Sequence, residues 1–221
     1  MSNLFEQAFT RKDLKIISRL DTPLKIQAFL DGIPYSEEDI YRCPRSVIRD
    51  RKAHCFDGAL FAAAALRYIG YPPLVLDMLP NHRDDDHMLA LYKVDGHWGA
   101  VAKSNYPGLR FREPIHRNLR ELVLSYFEPF FNLEREKTLR GYTRPLDLRV
   151  LDGLNWMGSD KNMEAVVDKL NKIRHFSLLT PRMEAGLSLL DERSYQSGML
   201  GVNMAGVYVP GKTKPGTEGA R

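Results

Sequence analysis

An almost uninterrupted run of apolar and small residues from Cys55 to Ile69 limits the possible folds more than any other stretch. It contains four consecutive alanines, and Gly70 and Pro72 follow it as residues that end helices. A helix that is apolar on all sides is buried. We therefore predict a central buried helix that begins at Cys55.

The position of Cys55 in the first turn of this helix has chemical consequences. Unpaired backbone N–H groups and the positive end of the helix dipole lower the pKa of a thiol placed there. The same N–H groups can stabilise an oxyanion on an attacked carbonyl. Cys55 is therefore a candidate nucleophile, with a small buried core residue as the alternative.

Three strands are predicted after the helix. Residues 74–79 form a short apolar run rich in branched side chains, which is typical of a core strand. Residues 87–94 and 97–103 flank Asp95-Gly96, the strongest short signal for a β-hairpin. We expect these segments to form a small antiparallel sheet on the buried helix.

The hairpin also predicts where a histidine lies. With a two-residue turn, Val94 pairs with His97, and counting outward places His87 opposite Ser104. His87 then begins a strand and returns toward Cys55. A slip of one residue in the register would turn His87 to the other face.

The order of these residues resembles the transglutaminase-like family of the papain-like cysteine superfamily. In that family a cysteine opens an apolar helix, a histidine starts a strand, and a DG-x-W hairpin follows, as in residues 55–98 here. The resemblance implies that Cys55 is the nucleophile, that His87 is its base, and that Trp98 belongs to the site. It also implies a papain/transglutaminase-like core and a thioester on Cys55.

The third catalytic residue departs from the family pattern. The family's aspartate, which orients the histidine, falls where this chain has Ala102. The resemblance then passes the orienting role to Ser104 or Asn105, both of which can accept a hydrogen bond from an imidazole.

The resemblance implies a peptide or another amide-bearing substrate, and it leaves hydrolysis and transamidation open. Arg110 and Arg112 flank Phe111 in an irregular stretch after the hairpin. If this stretch passes the site, an arginine can hold a substrate carboxylate with two hydrogen bonds. The alternative is a strand with two solvated arginines.

The loop NHRDDDH, residues 81–87, admits two interpretations. Its carboxylates and histidines are potential metal ligands, but they lack recognised zinc or calcium spacing. A solvated acidic loop is favoured, so we predict no metal and no cofactor. Asp84 to Asp86 are expected to raise the pKa of His87 and to favour a thiolate–imidazolium pair.

Composition excludes several classes of protein. The 221 residues are 43% hydrophobic and 27% charged, with a net charge of +4, as in ordinary globular proteins. No basic cluster is interleaved with aromatic residues and no run is long enough to span a bilayer, so nucleic-acid and membrane partners are not expected. Cys43 and Cys55 do not make a disulfide framework, and the N-terminus does not resemble a secretory signal, which favours a cytoplasmic protein.

We predict one α+β domain over residues 1–205, with its motif core at about 45–105 and helical extensions on both sides. The helical spacing predicts these segments: 4–20, 24–30, 115–131, 160–174 and 181–194. Residues 206–221 are rich in glycine, proline and lysine and are predicted to be a disordered tail. A catalytically silent binding or scaffold protein with the same fold is the alternative to an enzyme.

Overall fold

The computed structural model describes residues 2–210, and this part of the chain has an α+β fold in which short helices surround one antiparallel sheet. The α-helices are Ser2–Ala8 (α1), Arg11–Ile17 (α2), Pro23–Asp31 (α3), Pro44–Asp50 (α4), Cys55–Tyr68 (α5), Leu119–Leu124 (α6), Met163–Asn171 (α7), Pro181–Ala185 (α8) and Glu192–Gly198 (α9). The strands are Leu74–Pro80 (β1), His87–Val94 (β2), His97–Val101 (β3), Arg112–His116 (β4), Leu139–Thr143 (β5), Leu146–Asp147 (β6) and His175–Ser177 (β7).

The predicted hairpin is confirmed, together with its register as far as Ala90 opposite Val101, whereas the predicted pairing of His87 with Ser104 is not formed. The sheet has the order β4-β3-β2-β1-β5-β7, with β6 also paired to β1. Val94 pairs with His97, and the β2–β3 ladder continues to Ala90 opposite Val101. His87 lies beyond this ladder and pairs instead with Met78 of β1.

Helix α5 is the central buried helix that the sequence predicts. Every residue from Cys55 to Leu66 is buried, and Gly70 follows with φ of 101°, a conformation that favours glycine. The helix packs on the sheet face that carries Val75, Met88 and Ala90, while α6 covers the other face. A Cβ added at Gly58 would lie 2.2 Å from the Lys103 Cβ, so α5 approaches the end of β3 very closely.

The helices before α5 agree with the sequence prediction in part. The helix predicted over residues 24–30 is confirmed as α3, which Thr22 caps and which Gly32 follows. The single helix predicted over residues 4–20 is instead α1 and α2, because Thr10 and Asp13 form a capping box that starts a new helix.

The long helix predicted over residues 115–131 was wrong. Its first residues belong to β4, and Asn118 then caps the short α6 by accepting a hydrogen bond from the Glu121 N–H. The predicted helix 181–194 is interrupted between α8 and α9. Of the predicted tail, residues 211–221 lie outside the described residues, whereas Gly206 and Tyr208 line a cavity together with Cys55.

Candidate functional site

Cys55 is the first residue of α5 and is buried, with 9% of its surface exposed. Its thiol lies 3.9 Å from the backbone oxygen of Asp86, a weak S–H hydrogen bond. Neither Cys55 nor Cys43 is in a disulfide, as the sequence predicts. The thiol therefore sits at the positive end of the central helix, in the position that favours a nucleophile.

A buried carboxylate holds the start of α5 in place. Asp57 accepts hydrogen bonds from the backbone N–H groups of His54 and Arg42, at 3.3 Å and 2.7 Å. Burial raises the pKa of Asp57 to about 7, although these hydrogen bonds oppose the shift. The Asp57 side chain thus links the first turn of α5 to the loop that ends at Arg42.

His87 begins β2 and is buried. Its Nε2 lies 2.7 Å from the Leu109 carbonyl oxygen, which can only accept a hydrogen bond. The neutral ring therefore carries its proton on Nε2 and has its basic lone pair on Nδ1.

The expected imidazolium at His87 was wrong. Burial lowers the pKa of His87 to about 4, and this effect exceeds the opposing charge of Asp85 and the hydrogen bond to Leu109. The ring is neutral near pH 7 and its Nδ1 can accept a proton during a reaction, but a pKa of about 4 makes it a weaker base than an ordinary histidine. The sequence predicted a raised pKa for His87 because it shows the acidic residues beside the ring but does not show that the ring is buried.

Cys55 and His87 line one cavity of about 40 Å³, which holds only a few water-sized groups. It is lined by Tyr35, Cys55, Asp84, Asp85, Asp86, His87, Ser104, Asn105, Tyr106, Leu109, Phe130, Phe131, Gly206 and Tyr208. The residue pair that the sequence singled out is thus brought together with its two candidate orienting residues.

Ser104 and Asn105 form hydrogen bonds with groups other than the His87 ring, which was their predicted partner. The Ser104 hydroxyl accepts a hydrogen bond from the Tyr106 N–H, and Asn105 makes two hydrogen bonds with the backbone of Asn203. The recorded partner of the His87 ring is the Leu109 carbonyl. A backbone group rather than a side chain therefore orients the imidazole, and sequence alone does not reveal such a group.

Two of the three predicted substrate-binding residues lie away from this cavity. Trp98 faces Lys93, whose ammonium lies 4.8 Å from the indole ring. Arg112 stacks on the Tyr126 ring at 3.8 Å and donates a hydrogen bond to the Ser125 hydroxyl. Both side chains stabilise the fold, and the expectation that they bind substrate is not supported by their position.

Arg110 lies closer to the site. It pairs with Asp31 at 3.3 Å and lines a neighbouring cavity together with Lys103, Ser104 and Asn105. Lys103 is buried and donates to the carbonyl oxygens of Leu30 and Ile33, so it caps the end of α3. Burial lowers the pKa of Lys103 to about 8.

Tyr35 is a site residue that the sequence analysis missed. Burial, with the negative charges of Cys55 and Asp85, raises the pKa of Tyr35 well above its ordinary value, while a backbone hydrogen bond from Cys55 opposes the shift. The phenol is therefore neutral and lies beside the Cys55 N–H. The sequence signal for Tyr35 is that residues 33–51, which contain Pro34 and Pro44, are typical of a loop and a short helix that lead to Cys55.

The acidic loop is partly folded rather than fully solvated. Asp84 accepts a hydrogen bond from the Thr138 hydroxyl, and burial raises the pKa of Asp84 to about 6. Among residues 2–210, no group of three or more His, Cys, Asp or Glu side chains is arranged to hold a metal ion. In the same range no helix is both long and apolar enough to cross a bilayer.

Comparisons with known proteins do not assign this chain to a family. No protein-family model matches the chain, and no curated protein matches it significantly. The function therefore has to be argued from the geometry described above.

Proposed function

We propose that the protein is a cysteine-dependent acyl-transfer enzyme that acts on a peptide or amide bond. The observation that carries this proposal is that Cys55, at the start of α5, and His87, held by the Leu109 carbonyl, line the same cavity. A thiol nucleophile needs a base within reach and a third group that orients the base. In this proposal these three parts are Cys55, His87 and the Leu109 carbonyl, which come from different segments of the chain.

The reaction begins when the Cys55 Sγ attacks the carbonyl carbon and its proton passes to the His87 Nδ1. The neutral Tyr35 hydroxyl, whose oxygen accepts the Cys55 N–H, donates its own proton to the carbonyl oxygen and stabilises the negative charge that develops there. The C–N bond then breaks, the imidazolium returns its proton to the departing amine, and a thioester remains on Cys55. Water attacks the thioester with His87 as base and releases the acid.

The proposed architecture is that of the transglutaminase-like family. A nucleophile at the start of the central helix, a histidine at the start of a sheet strand and a hairpin after it support this assignment. Ala102 occupies the position of the family's aspartate and is fully buried, with its backbone bound to the Gln27 amide. In this chain the Leu109 carbonyl takes over the orienting role.

Acylation by p-nitrophenyl acetate tests the proposal without knowledge of the natural substrate. We expect intact-mass spectrometry and peptide mapping to find an acetyl group on Cys55 of the wild-type protein. Acylation and release of p-nitrophenol should fall by about a thousandfold or more in Cys55→Ala, with little change in melting temperature. The matched control Cys43→Ala should retain the reaction.

Unchanged p-nitrophenol release in Cys55→Ala would refute the catalytic role of this residue. The alternative is a binding protein that keeps the fold without the chemistry. It is favoured by the small volume of the cavity, which Gly206 and Tyr208 help to close. That alternative predicts no acyl-enzyme with any activated ester.

A further inference from the structure

A second cavity, of about 160 Å³, adjoins the first at the thiol. The two cavities share Tyr35, Cys55, Asp85, Asp86, Gly206 and Tyr208. The larger one is several times the volume that a single water molecule needs, so it has room for a substrate side chain. Cys55 thus lies where the two spaces meet.

The lining of the larger cavity is acidic. Its carboxyl side chains are Glu37, Glu38, Asp39, Asp77, Asp85 and Asp86, and no lysine or arginine occurs among the described residues that line it. Glu38 is neutralised by ion pairs with Arg42 and Lys52. Carboxyl groups thus outnumber the basic side chains among the described residues of the lining, where His54 is the basic residue, and this favours a positive charge.

Asp77 distinguishes this cavity from a solvated acidic surface. It lies on β1 opposite Met88, on the sheet face that packs against α5, and only 7% of its surface is exposed. Its Oδ1 is buried and has no hydrogen-bond partner within the described part of the chain. An unsatisfied buried carboxyl oxygen is costly, and a donor group supplied by a substrate would lower that cost.

The neighbouring carboxyl group of Asp86 affects the ionisation of Asp77. Burial, the charges of Asp86 and Asp85, and a side-chain hydrogen bond with Asp86 raise the pKa of Asp77 well above its ordinary value. The two carboxyl groups are therefore costly to ionise together, and a cation placed beside them would lower that cost.

The remaining walls suit a side chain with a hydrocarbon stem. Tyr41 and Phe56 line the cavity with ring centroids 4.7 Å apart, and Val167 and Leu170 add aliphatic surface. Aromatic faces attract organic cations, and the methylenes of lysine or arginine pack on apolar surface. A hydrated metal ion would gain nothing from these walls.

Resting on the function proposed above, we infer that this cavity is a specificity pocket for the protonated lysine or arginine side chain of the acyl donor, with Asp77 as its deepest carboxyl group. The pocket recognises the substrate and does not supply the attacking amine. An amine must be neutral to attack a thioester, whereas an acidic pocket holds it protonated. The inference therefore favours cleavage of basic peptides with water as the final acceptor.

Two matched activated esters test the pocket. The p-nitrophenyl ester of Nα-acetyl-lysine carries the ammonium group, and that of Nα-acetyl-norleucine has nearly the same shape without it. We expect kcat/KM for the lysine ester to exceed that of the norleucine ester by about tenfold or more in the wild-type protein, as one charge-assisted contact provides. In Asp77→Asn the two values should become nearly equal, because kcat/KM should fall for the lysine ester and stay unchanged for the norleucine ester.

Asp95→Asn is the matched control, because Asp95 lies in the exposed hairpin turn, away from both cavities, and asparagine tolerates its φ of 47°. This variant should keep the preference for lysine. Equal rates with both esters in the wild-type protein, or a preference that survives in Asp77→Asn, would overturn the pocket.

A binding measurement separates failure of the pocket from failure of the proposed chemistry. Calorimetric titration of Cys55→Ala with Nα-acetyl-lysine amide and Nα-acetyl-norleucine amide needs no turnover. We expect tighter binding of the lysine amide by about tenfold, and equal binding would refute the pocket. If this preference is found while neither ester acylates wild-type Cys55, the proposed reaction fails and the cation site stands.

Discussion

Burial controls the chemistry of His87 more than the acidic residues that precede it. The ring is buried beside Phe130 and bound through Nε2 to the Leu109 carbonyl. Three aspartates next to it in the sequence suggested a raised pKa, yet the cost of placing a charge in this environment is larger. The sequence predicted that His87 returns toward Cys55, and the two residues do line one cavity. It did not predict the protonation state of the ring, because burial depends on the tertiary fold.

We predict that His87 stays neutral in weak acid. Its pKa of about 4 means that the ring signals in a two-dimensional NMR spectrum should not shift between pH 7.5 and 5.5, whereas a free histidine peptide titrates near 6.5. His87→Gln identifies the signals. Titration of His87 with a midpoint above pH 6 would contradict this assignment.

The lowered pKa of His87 also predicts how the reaction rate and the free energy of unfolding change in acid. Because the base must be neutral, acylation of Cys55 by p-nitrophenyl acetate should lose its dependence on His87 only near pH 4. Between about pH 6.5 and 4 the unfolded chain binds a proton that the folded chain excludes, so His87 lowers the free energy of unfolding as the pH falls. Chemical denaturation of the wild-type protein and His87→Gln across this range should show a steeper acid loss in the wild type.

At the scale of elements, Arg42 joins the loop before α4 to the start of α5. Its buried guanidinium donates to Asp50 and Ser36 and pairs with the buried Asp57 and with Glu38. This loop carries Tyr35 and the glutamates of the acidic pocket. The sequence indicated a loop that leads into the site, but it gave no sign of the buried arginine that holds it.

Removing this arginine should be costly. Arg42→Ala leaves the buried Asp57 without its cation, and we expect a loss of about 3–5 kcal/mol in the free energy of unfolding. The loss should grow as the pH rises through the pKa of Asp57, about 7 in the intact protein, because protonation neutralises the carboxyl below it. Urea denaturation at pH 6 and pH 8 measures both effects.

Arg45→Ala is the matched control. The Arg45 side chain is about half exposed and lies 3.8 Å from Asp13, so its loss should cost less than about 1 kcal/mol. A similar small loss in Arg42→Ala would show that Arg42 does not organise the loop.

Asn105 holds residues near the C-terminal end of the described chain against the site. Its side chain donates to the Asn203 carbonyl and accepts from the Asn203 N–H, at 2.8 Å and 2.9 Å. We predict that Asn105→Ala increases hydrogen exchange at residues 203–208 and leaves the His87 NMR titration unchanged. If Asn105 instead orients the imidazole, as the family resemblance implied, the titration of His87 will shift.

The extents of the elements show what local patterns can and cannot predict. Helix α3 and the hairpin were predicted well because Thr22 and Asp95-Gly96 act locally. The helix predicted over 115–131 failed because its apolar spacing fits β4 on the sheet edge followed by the short α6. Strand pairing depends on distant segments, which periodicity in one segment does not contain.

At the scale of the whole molecule, the site depends on how closely α5 approaches the sheet. Gly58 faces the Lys103 side chain, which cannot yield easily because its ammonium donates to two carbonyl oxygens at the end of α3. This contact limits the distance between α5, which begins at Cys55, and the sheet, which carries His87. The apolar run predicted a buried helix, while the cavity arises from segments that are far apart in the sequence.

Gly58→Ala should move the helix. An added methyl group would lie 2.2 Å from the Lys103 Cβ, and such overpacking costs about 1–3 kcal/mol, partly offset by the better helix propensity of alanine. We expect a lower melting temperature and slower acylation of Cys55. Gly153→Ala is the control, because a methyl group there meets no atom within 4 Å; equal effects of the two changes would refute the packing argument.

Site-resolved alkylation tests most directly whether Cys55 and His87 act together. Iodoacetamide labelling at pH 7, followed by peptide mass spectrometry, compares Cys55 with Cys43, a buried thiol whose pKa burial raises to about 11. We predict that Cys55 reacts at least about tenfold faster than Cys43, that His87→Ala removes most of this advantage, and that the hairpin control His97→Ala keeps it. Equal slow labelling of both cysteines, or fast labelling of Cys55 that does not depend on His87, would contradict the proposed nucleophile–base pair.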